Sequence, residues 1–302
     1  MNYHILYNPL AGKAKKQSIC IDNIELPENA QKKLYNMTEI IDYKAFFTSL
    51  SSEDKVVVCG GDGTLNRFIN GIDGIGITND IFYLAAGSGN DFLNDLGLEK
   101  SFEPIKINQY INNLPEVYIG ERIYRFLNGI GYGIDGYCCK EINRLKEQGK
   151  KASYTLAAVK GFLYGYKPTN AVVTVDGREY RYKKVWLTPT MLGKYFGGGM
   201  MIAPVQDRNN TDGTLTVIVA HSLSKLKILT LFPTIFKGTH LKYKKYIDVH
   251  KGHNISVKFD IPTAMQIDGE TITGVSEYTV KTASADPKNS NDAFKPIVGV
   301  EV

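Results

Sequence analysis

Lys55-Val56-Val57-Val58-Cys59-Gly60-Gly61-Asp62-Gly63-Thr64-Leu65-Asn66 is the stretch on which the reading of this chain turns. Its first half is a short β-branched run, the pattern of a strand buried on both faces of a parallel sheet. The run ends on glycines that permit unusual dihedrals and let backbone N–H groups approach phosphate oxygens closely. Thr64 can donate a hydroxyl, and a helix opening near Leu65 would offer its positive end to an anion. Asp62 beside phosphates makes chemical sense only through a cation, most simply Mg²⁺ with intervening water. The plainer alternative is a glycine turn whose aspartate caps the helix.

Working outward, Leu65, Phe68, Ile69 and Ile72 keep helical spacing up to Asn70-Gly71. Residues 3–7 read as a strand running into a loop at Asn8-Pro9-Leu10-Ala11-Gly12, and residues 81–85 as another ending at Gly87-Ser88-Gly89. Strand, glycine loop and helix in repetition predict an open, mostly parallel α/β sheet that binds its ligand at the strand ends. This first domain is expected over residues 1–128, with 285–302 as a candidate to pack back onto it. Past Asn128 one helix is predicted over 151–166. Strands then dominate, at 171–175, 180–188, 215–220, 254–259 and 278–281, which predicts a largely antiparallel β domain over 129–284.

Composition narrows the function classes. At 302 residues and 43% apolar content the chain can bury two ordinary cores, and no run approaches a membrane span. A net charge of +5 suits an anionic ligand or membrane surface but is too weak to imply nucleic acid, for which no motif is present. The opening residues lack the features of a secretory signal. Cys20, Cys59, Cys138 and Cys139 lack metal-ligand spacing, so a reduced, cytoplasmic chain is expected. Gly131-x-Gly133-x-x-Gly136 satisfies the dinucleotide fingerprint without a convincing acidic partner downstream, and is read as a glycine-rich crossover. Residues 225–246 interleave apolar and basic side chains. That pattern fits a peripheral membrane contact or a core-packed helix with solvated lysines.

Further motifs follow in order: Asn8-Pro9-Leu10-Ala11-Gly12-Lys13, Gly87-Ser88-Gly89-Asn90-Asp91-Phe92, Gly198-Gly199-Met200 through Ala203-Pro204, Asp212-Gly213, and Asp268-Gly269-Glu270. With Gly60 to Asn66, this series resembles the soluble diacylglycerol kinase and sphingosine kinase family of lipid kinases, over residues 8 to 270. Gly-Gly-Asp-Gly-Thr alone also occurs in NAD kinases and phosphofructokinase-like relatives, whose two-domain plan is similar. Asn-Pro-x-(Ser/Ala)-Gly and Gly-x-x-Asn-Asp favour the lipid kinases.

The resemblance implies an ATP-dependent phosphotransferase acting on a lipid hydroxyl at a membrane surface, diacylglycerol being the first expected acceptor. It implies that Asn8, Pro9, Leu10, Ala11, Gly12, Lys13, Thr38, Gly60, Gly61, Asp62, Gly63, Thr64, Leu65, Asn66 and Ser88 surround ATP. Asp62 and Asp91 would organise catalytic Mg²⁺ through water, and Glu270, with Asp268 beside it, would be the general base. Lys13 and Lys160 would join a supporting charge network. Asp212 would hold a structural Mg²⁺ with the carbonyls of Asn209 and Thr214. From below, Asp-x-Glu on an extended segment would project both carboxylates to one face, although Asp268-Gly269 alone more often marks a hairpin turn. Tyr118 stands where bacterial relatives commonly carry an aspartate, and the loss of that acid would mean a charge network shifted to Glu116 or Asp135, a different lipid specificity, or weak activity. NAD kinase and a catalytically weak lipid- or nucleotide-binding regulator are the alternatives, and homodimerisation is left open.

Overall fold

The computed structural model describes residues 1–10, 14–148, 150 and 153–282. Ala11, Gly12 and Lys13 of the first loop, and the 285–302 segment, lie outside the described residues. Two compact units emerge, the first spanning Met1–Leu114 and the second beginning at Pro115.

The first unit runs β1 (Asn2–Tyr7), α1 (Ala14–Asp22), β2 (Gln31–Asn36), α2 (Tyr43–Thr48), β3 (Lys55–Gly60), α3 (Asp62–Gly71), β4 (Asp80–Ala85), α4 (Asp91–Asp95), β5 (Ile105–Lys106) and α5 (Asn108–Ile111). The sheet order is β2-β1-β3-β4-β5, parallel except for β5 at the edge. Val56, Val57, Val58 and Cys59 are fully buried, as the β-branched run predicts. Each such side chain stabilises the fold by about 1.5–3 kcal/mol. The chain moves from β1 outward to β2 and then returns to the other side of β1 for β3. The connections therefore diverge between β1 and β3, where open α/β sheets place their ligands.

The second unit opens with a hairpin, β6 (Glu116–Ile119) and β7 (Arg122–Arg125), followed by β8 (Gly129–Tyr132), α6 (Ile134–Glu147) and α7 (Tyr154–Lys160). The last continues as a π-helical turn over Gly161–Gly165. Then come β9 (Thr169–Val175), β10 (Arg178–Leu187), β11 (Thr190–Met191), β12 (Leu215–His221), α8 (Lys225–Ile235), β13 (Ile247–Gly252), β14 (Asn254–Ile267) and β15 (Glu270–Lys281). All pairings are antiparallel. β14 pairs with β8 through residues 265–267 and with β9 through 255–259, so the path β14-β8-β11-β12-β10-β9 returns to its start. Register shifts between Lys258 and Met265 mark the bend that allows one strand to serve both neighbours.

Several expectations are corrected here. The helix read over 151–166 begins at Tyr154. The crossover read at Gly131–Gly136 is a strand feeding α6, which the sequence reading missed. A side chain at Gly131 would collide with the Asp135 carboxylate, and one at Gly136 with the backbone of Ala264. These glycines let α6 lie tight against β14, which gives the fingerprint a packing purpose. The β6–β7 hairpin joins the second unit because β6 pairs with β15. Apolar side chains of α8 (Ile228, Leu231, Phe232 and Ile235) are buried in a core shared with α6 and α7. Among the described residues no helix is long and apolar enough to cross a membrane.

Candidate functional site

Within the first unit, the candidate nucleotide residues stand at the carboxyl ends of the parallel strands. Tyr7 pairs with both Asn36 and Cys59, and Gly60 with Ala85. Asn8, Thr38, Gly61 and the 87–90 loop therefore leave neighbouring strands at one edge. Asn8 is buried, and its Oδ1 accepts from the amide of Leu10 at 3.0 Å, which shapes the loop by an Asx turn. Asn36 Oδ1 holds Thr38 through its amide (3.0 Å) and its hydroxyl (2.8 Å).

The two glycine loops touch. A Cβ added to Gly87 would lie 2.6 Å from the Gly61 Cα, so close backbone approach requires glycine there. Asp62 then bridges them: its Oδ2 accepts from the amide of Asp91 and its Oδ1 from that of Phe92, both at 3.0 Å. The carboxylate thus satisfies the first amides of α4, whose N-cap Asn90 is left-handed (φ 52°) and makes no side-chain cap bond. α3 likewise begins after Gly61, an N-cap residue with no side chain of its own to cap it. A helix start of this kind is where anions bind. Thr64 Oγ1 is buried with no hydrogen-bond partner among the described residues, an orphaned donor in the same turn. Asp91 is buried beside Asp62, while Ser88 is exposed at the loop tip.

In the second unit, Asp268 and Gly269 form a two-residue hairpin turn between β14 and β15, with Ile267 paired to Glu270. Their φ values of 46° and 97° are those of a tight turn with both central residues left-handed. The extended Asp-x-Glu arrangement expected from sequence is therefore corrected: the two carboxylates part company. Glu270 is exposed as the first residue of β15. The buried Asp268 carboxylate accepts from the amides of Leu127 (2.5 Å), Asn128 (2.9 Å) and Gly129 (2.9 Å). Arg208, which sequence reasoning missed, donates to Leu127 O at 2.6 Å and Asn128 Oδ1 at 3.1 Å. It ties the loop carrying Asp212 to the same backbone segment.

Gln266 was also missed, although a polar residue amid buried Ala264, Met265 and Ile267 is a detectable signal. Its Nε2 donates to Asp135 Oδ2 at 2.9 Å and its Oε1 accepts from the amide of Gly269 at 2.5 Å. Asp135 also accepts from the Tyr154 hydroxyl. Burial pushes the Asp135 carboxyl up to about 6, against the opposing pull of the Tyr154 and Gln266 hydrogen bonds.

The remaining candidates separate from these. Lys160 pairs with Glu141 at 2.9 Å, and Arg144 pairs with the same carboxylate at 2.7 Å. Arg144 first, and then Lys160, hold the Glu141 carboxyl down at about 2. Tyr118 donates to Glu116, which also meets Arg125 at 2.8 Å, so the non-acidic position sits in a local ion-pair cluster on the β6–β7 hairpin. Asp212 Oδ1 accepts from the amide (3.1 Å) and hydroxyl (3.0 Å) of Thr214. The Thr214 carbonyl, offered as a metal ligand, already accepts from Gln206 Nε2 (3.0 Å) and Asn210 Nδ2 (2.8 Å). Both its lone pairs are engaged, so in this arrangement the loop does not fit a cation bound through that oxygen. The Asn209 amide closes on Asp207 in the same loop. By contrast, Asp62 and Asp91, joined through the Asp91 amide, carry carboxylates of the hard oxygen type that Mg²⁺ takes.

Behind α6, α7 and α8 lies an apolar cavity whose walls include Tyr154, Phe162, Met200, Ile218, Phe232 and His240. Its free volume is only about 30 Å³. At rest it holds a few waters at most.

Comparison with known proteins matches these two halves separately. The diacylglycerol kinase catalytic domain matches residues 2–117, the unit with the glycine loops. The YegS C-terminal NAD kinase beta sandwich-like domain matches residues 128–287, over half of the chain. A diacylglycerol kinase of Mycobacterium tuberculosis (strain CDC 1551 / Oshkosh) is 29% identical over 196 residues, covering 63% of this chain and 62% of that protein. The chain thus spans less than two thirds of that relative's length. A diacylglycerol kinase of Bacillus subtilis (strain 168) is 22% identical over 225 residues, covering 74% of this chain and 73% of its own. A crystal structure of a diacylglycerol kinase from Bacillus anthracis str. Sterne shares the fold, with TM-score 0.55 at 17% identity over 93% of each chain. With both domain types matched in order, one of them across most of the closed β unit, the chain belongs to the diacylglycerol kinase family of lipid kinases.

Proposed function

We propose that this chain transfers the γ-phosphoryl group of ATP to a lipid hydroxyl, with diacylglycerol the first acceptor and phosphatidic acid the product. The observation that carries the reading is the Asp62 bridge. It locks the 60–66 loop to the 87–92 loop at the carboxyl edge of the sheet, beside the start of α3. Backbone amides and the buried Thr64 hydroxyl there suit phosphates, and phosphoryl transfer is mostly a matter of positioning and charge stabilisation.

In this reading Asn8, Thr38, Thr64 and Ser88 orient the nucleotide, with the amides at the start of α3 on its phosphates. Asp62 and Asp91 would hold Mg²⁺ through water, which supplies charge neutralisation at the β- and γ-phosphates when bound. Glu270 takes the proton of the lipid hydroxyl as that oxygen bonds to the γ-phosphorus. The bond from phosphorus to the β-bridging oxygen breaks and ADP leaves. Asp268 positions Glu270 from the turn.

Incubating the protein with γ-labelled ATP, Mg²⁺, a lipid panel and NAD tests the reading. Label is expected in phosphatidic acid. Labelled NADP as the sole product would make the chain an NAD kinase, and transfer to no acceptor would favour a lipid- or nucleotide-binding regulator.

Work at the cytoplasmic face of a membrane follows as part of the proposal. With the face of α8 that carries Ile228, Leu231, Phe232 and Ile235 committed to the core, the contact surface would be the exposed Leu226, Phe236 and Tyr243 with the lysines around them. Replacing Lys242, Lys244 and Lys245 with Glu should weaken sedimentation with anionic liposomes by about a hundredfold or more, at about 1 kcal/mol for each lysine lost. Unchanged binding would remove this surface from the account.

A further inference from the structure

Two features of the second unit lie at opposite ends of one buried hydrogen-bond chain. Tyr154 belongs to both. Its ring lines the apolar cavity, and its hydroxyl donates to Asp135. Asp135 is 1% exposed and takes a second hydrogen bond from Gln266, which in turn receives the Gly269 amide. That amide immediately precedes Glu270.

Gln266 is the joint. Its carboxamide has one accepting and one donating end, and both are used. Turned over, it would set N–H against N–H and oxygen against carboxylate. Its orientation is therefore dictated by Asp135 on one side and the turn on the other. Packing leaves little slack, since Gly131 has no room for a side chain beside the Asp135 carboxylate and Gly136 none beside Ala264. A displacement of Asp135 must pass to Gln266 or break a buried hydrogen bond, which costs about 1–3 kcal/mol.

The cavity supplies such a displacement. Its 30 Å³ of free space cannot admit an alkyl chain until the walls part. One wall is α7, which runs into the π-helical turn at Gly161–Gly165, and Phe162 of that turn faces the cavity. Irregular turns of this kind are where helices adjust.

Resting on the lipid-kinase reading, we propose that Tyr154, Asp135 and Gln266 form a positioning relay, through which filling the apolar cavity sets the placement of Glu270. An acceptor with a chain long enough to part the wall would thereby set the turn for proton removal. One too short would bind with the turn left at rest. Remote binding interactions would then raise kcat rather than merely lower KM.

Tyr154→Phe keeps the ring in the wall and removes only the donor. In the wild type, kcat should rise about tenfold or more from a dibutyroyl to a dioleoyl glycerol, the scale expected for a sub-ångström correction of a reacting group. In Tyr154→Phe, and in Gln266→Leu, the rise in kcat should vanish while KM still falls with chain length. Retention of the kcat rise in a folded Tyr154→Phe protein overturns the relay. A second measurement needs no turnover: amide hydrogen exchange at Gly269 with and without n-decanol. The wild-type amide should change its protection when decanol is added, and the Tyr154→Phe amide should not. A wild-type amide indifferent to decanol contradicts the relay whatever the activity. A responsive amide in a protein that phosphorylates no lipid contradicts the kinase reading instead.

Discussion

Replacing Glu270 with Gln is expected to lower kcat by about 10²–10⁴-fold, the usual contribution of a positioned general base, while leaving folding nearly untouched. Glu270 is exposed at the first position of β15, and its backbone is held by strand pairing with Ile267 rather than by its side chain. Gln has the same length and shape but cannot accept a proton at neutral pH. Surface substitutions of this kind shift stability by about 0.5 kcal/mol or less. Steady-state transfer assays beside thermal unfolding check both halves. A loss of under tenfold would exclude Glu270 as the proton acceptor.

Asp268→Asn should above all destabilise the protein, by about 3 kcal/mol, which lowers Tm by roughly 6–12 °C for a unit of this size. The wild-type carboxylate accepts three amides from Leu127, Asn128 and Gly129. Asn offers one oxygen and turns an NH₂ group toward donors, orphaning at least one buried amide. Asn also tolerates the left-handed conformation that Asp268 adopts (φ 46°), so backbone strain does not confuse the comparison. Denaturant unfolding measures the loss. A variant within about 0.5 kcal/mol of the wild type would show that the three amides find other partners. The same geometry warns against Asp62→Asn as a purely catalytic control. Asp62 accepts the Asp91 and Phe92 amides, and the substitution would loosen α4 as well.

These contrasts mark how far the sequence was legible. The 60–66 loop could be read because its parts are local: a β-branched strand, a glycine turn and a helix start lie within twelve consecutive residues, 55–66. The parallel sheet followed from the same unit repeated. Asp268 was harder, since strand alternation and turn chemistry both describe Asp-Gly-Glu, and the deciding interactions reach back about 140 residues to Leu127–Gly129. α6 was hidden for a related reason. The glycines at 131 and 136 resemble a loop in sequence but serve close packing against β14, which only the tertiary fold makes necessary. Arg208 had no local signature at all, because its partners are a backbone carbonyl and a side-chain amide roughly 80 residues away. Gln266 was legible in principle as a polar interruption in an apolar strand.

The most direct test of the account is transfer of labelled γ-phosphate from ATP to diacylglycerol in vesicles, measured side by side for the wild type and Glu270→Gln. Labelled phosphatidic acid is expected from the wild type and almost none from the variant at equal folded protein. Label confined to inorganic phosphate or NADP, or equal phosphatidic acid from both proteins, would contradict it.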